Sequence, residues 1–339
     1  MQLIVLGLNH KTAPVEIRER FNFPQDKTVR VLRRLRNNDN LNEAVLLSTC
    51  NRTELYMVLE DPAAGLHFIR TLLRHLAGEQ YKPDYFYNLT GINCVRHLFK
   101  VASSLDSLII GEGQILSQIK NAYHLSRSCS MTDTLFNTLF NRAIAVGKRV
   151  RTETKIAYSS VSVSSAAVDL AIDVVGDLTK ANILVLGAGR MSELTARHLI
   201  DKGAKTIFVS NRNLSHAQEL AEKFNGTAIP YNEFMHQAIT SDIIITSTGA
   251  PHYVITEQGV RDIIPKRGGK PLILVDIAVP RDVDPLVGGI EGVTLYNIDD
   301  LEGVVDMNKN FRSSEAKVAE AIIDEEIDAL KERLRYLTM

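Results

Sequence analysis

Apolar residues recur along this chain at two different spacings, and the switches between them outline its elements. The run at 3–8, Leu-Ile-Val-Leu-Gly-Leu, has strand length. From 26 to 35 the spacing changes. Val29, Leu32 and Leu35 share one side with charges between them, which predicts a helix. Two short apolar runs follow, Val45-Leu46-Leu47 and Leu55-Tyr56-Met57-Val58-Leu59, with a polar turn between them. A second helical pattern covers 64–76. This order predicts a small α+β sandwich, a sheet backed by helices. Residues 92–155 carry no strand signal, and helices are expected over 93–104, 115–126 and 134–152.

The second half alternates differently. Residues 156–180 are Ser-rich and then apolar, which marks the approach to a new domain; a helix is entered near Ser164 and ends at Gly176. Strand-type runs follow at 182–186, 205–210, 242–246, 272–276 and 292–296, with helical stretches such as 193–201 between them. That alternation predicts a doubly wound sheet. Asn297-Ile-Asp-Asp300 reads as a helix start. In 301–339, Phe311, Val318, Ile322, Ile323, Ile327, Leu330, Leu334 and Leu337 form an amphipathic stripe. It is longer than a cap on the sheet requires, which suggests a partner helix; packing on its own chain is the alternative.

At 339 residues the chain has room for two domains or three. Its 45% apolar and 23% charged content is that of an ordinary globular protein, and its formal net charge is −1, so any nucleic-acid surface must be local. Arg30-Val-Leu-Arg33-Arg34-Leu-Arg36 and Lys148-Arg149-Val-Arg151 are local basic clusters, suited to phosphates or simply to the wet face of a helix. Three widely spaced cysteines, Cys50, Cys94 and Cys129, argue against a disulfide framework and fit a reducing, cytoplasmic compartment. No Cys/His spacing suggests a metal site. The N-terminus lacks a signal-peptide layout, and no apolar run approaches the roughly 18 residues of a membrane span.

Candidate chemistry sits first in Ser48-Thr49-Cys50-Asn51-Arg52. Cys50 stands at a strand end, where a thiol is exposed yet rigidly held. Arg52 supplies a planar fork suited to a carboxylate. A thiol beside such a clamp suggests an acyl group attacked by sulfur; a small apolar residue in a hairpin is the plain alternative. Asn9 and His10 end the first strand and either share that edge or only shape the turn. His97 shares a helical face with Cys94 and Val101, so it is a packed core histidine or a catalytic one. Ser107-Leu-Ile-Ile-Gly111-Glu112-Gly113-Gln114 is a substrate-binding loop or a helix-breaking turn.

The second site is Gly187-Ala188-Gly189-Arg190-Met191-Ser192, between a strand and a helix. It follows the dinucleotide-binding pattern, with Ser in the third small position. The next strand ends in Ser210-Asn211-Arg212-Asn213, without the acid that would bind a free ribose 2′-hydroxyl. Arg212 is positioned for a 2′-phosphate, which reads as NADPH; a solvated surface arginine is the alternative. Thiol and nicotinamide together suggest a reduction. Hydride adds poorly to an ester; a thioester carbonyl is more electrophilic, and its reduction releases an aldehyde. With the two groups on different domains, the reaction is expected in a cleft between them.

Five motifs carry a resemblance: Gly7-Leu-Asn-His-Lys-Thr-Ala-Pro14, Ser48-Thr-Cys-Asn-Arg-Thr-Glu54, Gly111-Glu-Gly-Gln-Ile-Leu-Ser-Gln118, Gly187-Ala-Gly189 and Val275-Asp-Ile-Ala-Val-Pro-Arg-Asp282. From Leu6 to about Leu301 the chain resembles the glutamyl-tRNA reductase family, which starts tetrapyrrole synthesis from glutamate. The resemblance implies that Cys50 is the nucleophile and His97 an activity-linked histidine. It implies that Thr49, Asn51, Arg52, Ser107, Glu112, Gly113, Gln114 and Gln118 hold the glutamyl group, and that residues 187–192 bind NADP. The implied substrate is glutamyl-tRNA(Glu), and the product is glutamate-1-semialdehyde, handed to an aminomutase. The implied organisation is a catalytic domain at 1–155, a Rossmann-type NADP domain at 156–300 and a dimerisation region at 301–339, in a V-shaped homodimer. Family members usually continue beyond the position of Met339, so that region is expected to be shortened. Two other classes remain in view. One is an NADP-dependent dehydrogenase of a small molecule, resembling shikimate dehydrogenase. The other is a non-catalytic NADP sensor or tRNA binder.

Overall fold

The computed structural model describes residues 1–77, 82–108, 111, 113–156, 163–301 and 309–337. The chain divides into two compact units, Met1–Ser160 with Asn308–Met339, and Val161–Met307. The multi-domain α/β architecture is as expected: a mainly antiparallel α+β unit, a Rossmann-type unit and a C-terminal helix.

The first unit holds β1 (Gln2–Asn9), α1 (Val15–Arg18), α2 (Gln25–Leu35), β2 (Leu41–Ser48), β3 (Arg52–Leu59), α3 (Pro62–Ala77), β4 (Tyr87–Thr90), α4 (Gly91–Ala102), α5 (Gln114–Ser128) and α6 (Thr134–Glu153). Its antiparallel sheet has the order β2-β3-β1-β4. Because side chains alternate along a strand, each strand feeds two cores. Val5, Val45, Leu47, Tyr56 and Val58 pack against α4, α5 and α6. Ile4, Leu6, Leu46, Leu55 and Met57 face the opposite core, which includes Phe21, Leu32 and Ile69. Burial on both faces explains why β3 is hidden along its whole length. Glu43 ties the layers together: its Oε2 accepts from Asp133 N at 2.6 Å and Phe136 N at 2.9 Å, a carboxylate at the N-terminus of α6. The short strand β4 was not legible as a strand. It has only four residues and runs directly into α4, but its pairing with β1 is essential to the site described below.

The second unit contains α7 (Val163–Val175), β5 (Asn182–Leu186), α8 (Arg190–Asp201), β6 (Thr206–Ser210), α9 (Leu214–Lys223), β7 (Thr227–Ile229), α10 (Phe234–Gln237), β8 (Ile243–Thr246), α11 (Glu257–Ile263), β9 (Leu272–Asp276) and β10 (Val293–Asn297). The strands are parallel in the order β10-β9-β8-β5-β6-β7. The order reverses at β5, which makes the end of that strand a topological switch point. Residues 297–300 form a turn rather than a helix start, with Asn297 Oδ1 accepting from Asp299 N at 2.7 Å.

The last described helix, α12 (Lys309–Leu337), packs on α4 and α6 of the first unit. Ala319, Ile322, Ile323, Ile327 and Leu330 are buried in the same core as Leu98 and Val146, whereas Val318 is exposed. The side chains of Phe311, Leu334 and Leu337 lie outside the described residues. Ion pairs flank the seam: Lys100 to Glu320 at 2.8 Å, and Arg149 to Glu325 at 2.8 Å and to Glu326 at 2.9 Å. Among the described residues, no helix is long and apolar enough to cross a membrane.

Burial, not the rim charges, should hold α12 in place. Ile323→Ala is expected to destabilise the first unit by about 2–5 kcal/mol in urea unfolding, and Arg149→Ala far less. A comparable loss from both would shift the weight to the ion pairs.

Candidate active site and dinucleotide pocket

The β2–β3 hairpin closes over Thr49, Cys50 and Asn51. Thr49 folds this loop: its Oγ1 accepts from Asn51 N at 3.2 Å and Arg52 N at 3.1 Å, and its own N–H donates to Arg52 O at 2.8 Å. Just beyond β1, His10 N donates to Asn51 O at 3.0 Å. β1 and β2 flank β3 and run in the same direction, so Asn9, His10 and Cys50 do share one edge. Cys50 is half-buried there, and Arg18 Nε reaches its carbonyl at 3.5 Å. Asn51 is buried, and its Oδ1 has no hydrogen-bond partner among the described residues.

Beneath the loop lies a buried carboxylate, Glu54. Arg52, Glu54 and Tyr56 alternate on β3, so all three point to one face. Glu54 Oε1 accepts from Arg52 Nη1 at 2.6 Å and Tyr87 Oη at 2.6 Å, and lies 2.9 Å from His97 Nε2. Its Oε2 accepts from Tyr56 Oη at 2.6 Å. Gly7 of β1 makes this possible. A Cβ there would stand 2.8 Å from Glu54 Cγ and 3.1 Å from the Tyr87 ring. Arg52 also donates through Nη1 to Asp106 Oδ2 at 3.1 Å and through Nη2 to the Asp106 carbonyl. Lys11 Nζ holds Asp106 Oδ1 at 2.5 Å. Asp106 is delivered by the end of α4. Ser104 takes a left-handed conformation, φ 59°, and the Leu105 N–H returns to Lys100 O at 2.9 Å, a Schellman-type stop.

The charges are set by this packing. Burial alone would raise the Glu54 carboxyl, but the Arg52 charge, the imidazole of His97 and hydrogen bonds from His97 and Tyr56 hold it well below the ordinary carboxylate range. Burial opposes ionisation of Asp106 too, and Arg52 and Lys11 outweigh it. His10 is lowered to about 4, by burial first and then by Arg52 and Lys11, so it is neutral near pH 7. Burial, reinforced by Glu54, pushes the Cys94 thiol far up, which leaves it inert.

The expected site residues therefore divide. Cys50, Asn51, Arg52 and His97 are gathered by one hairpin and one helix. Arg52, expected as a substrate clamp, has its fork engaged by Glu54 and Asp106. Ser107 accepts or shares a hydrogen bond with Ser104 Oγ at 3.1 Å on the Asp106 turn. Gly113 lies against the Arg151 guanidinium, and Gln114 starts α5. Gln118 lines a separate cavity with Ser48. Glu112 lies outside the described residues. Sequence reasoning missed Glu54, Tyr87 and Asp106. The alternation Arg52-x-Glu54-x-Tyr56 was a usable signal for the first; the others depend on tertiary contacts.

In the second unit, a pocket of about 300 Å³ runs from Gly187, Ala188 and Gly189 to Asn211 and Arg212. Gly187 has φ 115°, and a Cβ on it would lie 2.8 Å from Ser247 O. The Cβ position of Gly189 is open space at the N-terminus of α8, so an anion has room to approach the helix N–H groups. Ser192 is not a pocket wall. It is buried, and its Oγ meets Ser247 Oγ at 2.7 Å, fastening the glycine turn to the neighbouring loop. Arg190 is exposed and Met191 half-buried in the first turn of α8. Arg212 lies at the pocket rim, 6.0 Å from the Tyr231 ring centroid and 3.3 Å from His252 Nε2. The residues present thus fit a dinucleotide. Behind them, Asp282 accepts from Thr248 N at 2.7 Å, and Asp276 accepts from Thr246, Ala278, Asp282 and Val283. Burial pushes the Asp276 carboxyl up to about 7. Among the described residues, no cluster of His, Cys, Asp or Glu could hold a metal ion.

A switch-point pocket with a glycine turn, on a chain that also bears a strand-end thiol and a buried ion cluster, marks an oxidoreductase with a dehydrogenase-type domain. Family models agree in both halves: "Glutamyl-tRNAGlu reductase, N-terminal domain" matches residues 6–154, and "Shikimate / quinate 5-dehydrogenase" matches 169–304. A glutamyl-tRNA reductase of Trichlorobacter lovleyi is 46% identical over 96% of this chain and 76% of its own length. One from Thermodesulfovibrio yellowstonii is 44% identical over 99% and 81%. The solved glutamyl-tRNA reductase of Methanopyrus kandleri is 37% identical, with a TM-score of 0.53 over 99% of this chain and 81% of that one. The chain belongs to the glutamyl-tRNA reductase family.

Two outcomes follow from the charges. His10 binds its proton more weakly folded than unfolded, so stability should fall as pH drops from about 6.5 to about 4. Glu54 has the opposite charge but the same sign of effect, and its contribution fades below the ordinary carboxylate range. Unfolding curves from pH 7 to pH 4 should show this decline, and His10→Gln should flatten its upper part. Separately, Arg212→Glu should weaken NADPH binding by about 1.5–3 kcal/mol and NADH binding much less. Equal losses in a fluorescence titration would show that Arg212 does not read the 2′-phosphate.

Proposed function

We propose that this chain reduces the glutamyl ester of glutamyl-tRNA(Glu) with NADPH to glutamate-1-semialdehyde, through a thioester on Cys50. This is the first step of tetrapyrrole synthesis by the C5 route. The observation that carries the reading is Cys50 on a braced hairpin whose following strand bears Arg52 and the buried Glu54, the latter meeting His97, in a chain that also has a pocket fitting a dinucleotide.

Cys50 sulfur, having lost its proton, attacks the ester carbonyl. The C–O bond to the terminal ribose breaks, and the released tRNA hydroxyl takes up a proton. A nicotinamide cofactor held by Gly187, Ala188, Gly189, Asn211 and Arg212 would supply the hydride that reduces the thioester carbon. The C–S bond then breaks, releasing the aldehyde and returning the thiolate, which is reprotonated. His97 is oriented through Nε2 by Glu54, so its Nδ1 is the ring atom left to exchange a proton with the substrate. Arg52, buried with its fork held by Glu54 and Asp106, serves the glutamyl site in this reading by anchoring the hairpin that carries Cys50. Thr49, Asn51, Ser107, Glu112, Gly113, Gln114 and Gln118 complete the proposed glutamyl site, with Thr49 acting through the shape of the loop. Gly187, Ala188 and Gly189 admit the pyrophosphate, with Arg190, Met191 and Ser192 forming the helix turn behind it. Asn211 and Arg212 receive the ribose phosphate.

In this reading residues 1–155 are the catalytic domain, 156–300 the NADP domain, and 301–339 a contact region for a second copy in a homodimer. An α-amino aldehyde is labile in water, which favours direct hand-over to the aminomutase that consumes it. The reaction belongs to the cytoplasm. A dehydrogenase of a small molecule remains the contrasting reading for the second unit, and it requires no thiol.

Cys50→Ser separates the two. An oxygen ester on the enzyme is no more electrophilic than the substrate, so reduction of glutamyl-tRNA should be lost. Wild type without NADPH should accumulate a glutamyl thioester detectable by mass. Full reductase activity in Cys50→Ser would sink the mechanism.

A further inference from the structure

The dinucleotide pocket of the second unit has one wall at the end of β6 and another in the loop that follows β8. Asn211 and Arg212 line it from the strand end, and Thr248, Gly249 and Ala250 from the loop. That loop is braced. Thr248 N and Oγ1 both donate to the Asp282 carboxylate, and Ala250 N donates to Thr248 Oγ1 at 3.1 Å. Two residues beyond Ala250, His252 reaches the opposite wall, where its Nε2 lies 3.3 Å from Arg212 Nη2. Both side chains are exposed at the rim, and the Arg212 guanidinium stands 6.0 Å from the Tyr231 ring centroid.

This contact fixes the protonation of the imidazole. A guanidinium has five donors and no acceptor, so Arg212 donates and His252 Nε2 accepts. An imidazole that accepts at Nε2 is neutral, with its proton on Nδ1. A second proton would set two cations face to face. The surrounding groups offer no counter-charge to relieve that. Arg212 faces His252 from the end of β6. Asp282, from the segment after β9, is close enough for the charges of both to act on it, but its carboxylate is engaged by Thr248, and burial raises it above the ordinary carboxylate range. Tyr231 stands beside Arg212 and Tyr253 follows His252 in the chain. Among the described residues, neither Arg212 nor His252 forms an ion pair with an acid. Two basic side chains without an acid, at the rim where this fold places the 2′ substituent of the ribose, are suited to a dianion.

We propose that His252 is a second reader of the 2′-phosphate of NADPH, and that it takes up a proton as the cofactor binds. This rests on NADPH being the cofactor that the pocket receives. A phosphate entering between the two side chains accepts from Arg212 on one side and from His252 Nε2 on the other. For the second bond the imidazole gains a proton at Nε2, and the phosphate charge favours the form that Arg212 alone opposes. NADH carries a free 2′-hydroxyl there and leaves the imidazole neutral. The preference for NADPH over NADH therefore rises as pH falls toward the ordinary imidazole value of about 6.5.

The test measures binding of NADPH and of NADH to the whole chain by cofactor fluorescence, from about pH 8 to about pH 6.5. In wild type the ratio of the two affinities should rise several-fold across that range. Calorimetry in two buffers of different ionisation heat should find proton uptake with NADPH and none with NADH. His252→Gln, at an exposed position outside the braces of the loop, should lose about tenfold in NADPH affinity, the range of one charge-assisted contact. It should also lose the rise and the proton uptake, with NADH binding little changed. His252→Lys should keep the preference without its pH dependence. The phosphate itself cannot mimic the uptake, since on meeting Arg212 it gives up a proton rather than taking one. A wild-type ratio that stays flat, or a rise and uptake that persist in His252→Gln, overturns the proposal. If Arg212→Glu removes the preference while His252→Gln keeps it, the role of His252 falls and the 2′-phosphate reading stands. A wild type indifferent between the two cofactors overturns both.

Discussion

Glu54 is the point on which the first unit turns. A fully buried carboxylate is costly unless charge and hydrogen bonds surround it. Here a guanidinium, an imidazole and two phenols do so, contributed by β3, β4 and α4. The arrangement requires β4 to pair with β1, because only then does Tyr87 reach the carboxylate. It requires Gly7, because a side chain at that crossing would displace both partners. It also fixes the turn after α4, since Arg52 extends from Glu54 to Asp106. Removing Arg52 would leave Glu54 buried without its principal counter-charge, a loss of about 3–5 kcal/mol for a pair broken from one side. The site's rigidity is therefore the rigidity of an ion cluster rather than of a loop.

The second unit depends on a different constraint, the close approach of two loops at the end of β5. Gly187 passes the Ser247 carbonyl with no room for a Cβ, and Ser192 fastens the same two segments through a hydroxyl pair. This is why Ser is tolerated at the third small position of the fingerprint. It packs as a small residue and adds a hydrogen bond across the loops. Asp282 then holds Thr248, so the motif at 275–282 supports the pocket wall from behind.

Much of this was legible, for physical reasons that differ by element. The parallel strands of the second unit are continuous apolar runs bounded by glycines, and a run buried on both faces cannot be mistaken for a solvent-facing one. Cys50 could be located because a polar turn between two apolar runs is local information. β4 and β7 escaped because three or four residues carry too little periodicity to exceed a turn. His97 could be placed on a buried face but not paired, since its partner lies 43 residues away. Sequence spacing presents Arg52 as a free fork, because it does not show that Asp106, reaching it from the turn after α4, already takes part of it. Val318 belongs to the apolar stripe of α12 by spacing, but its position on the helix turns it outward.

The division between what holds the hairpin and what reacts on it bears on how the thiol can be studied. The loop is closed by the Thr49 hydroxyl, by backbone bonds from Thr49 and His10, and by the Arg52 anchor below. None of those bonds is made by the sulfur of Cys50. Exchanging sulfur for oxygen therefore leaves the loop's braces in place, whereas a change at Glu54 or Thr49 alters the frame and the chemistry together. A loss of activity at position 50 reports the reactivity of sulfur. A loss at position 54 reports first the cost of an uncompensated buried charge, and only then whatever His97 no longer does.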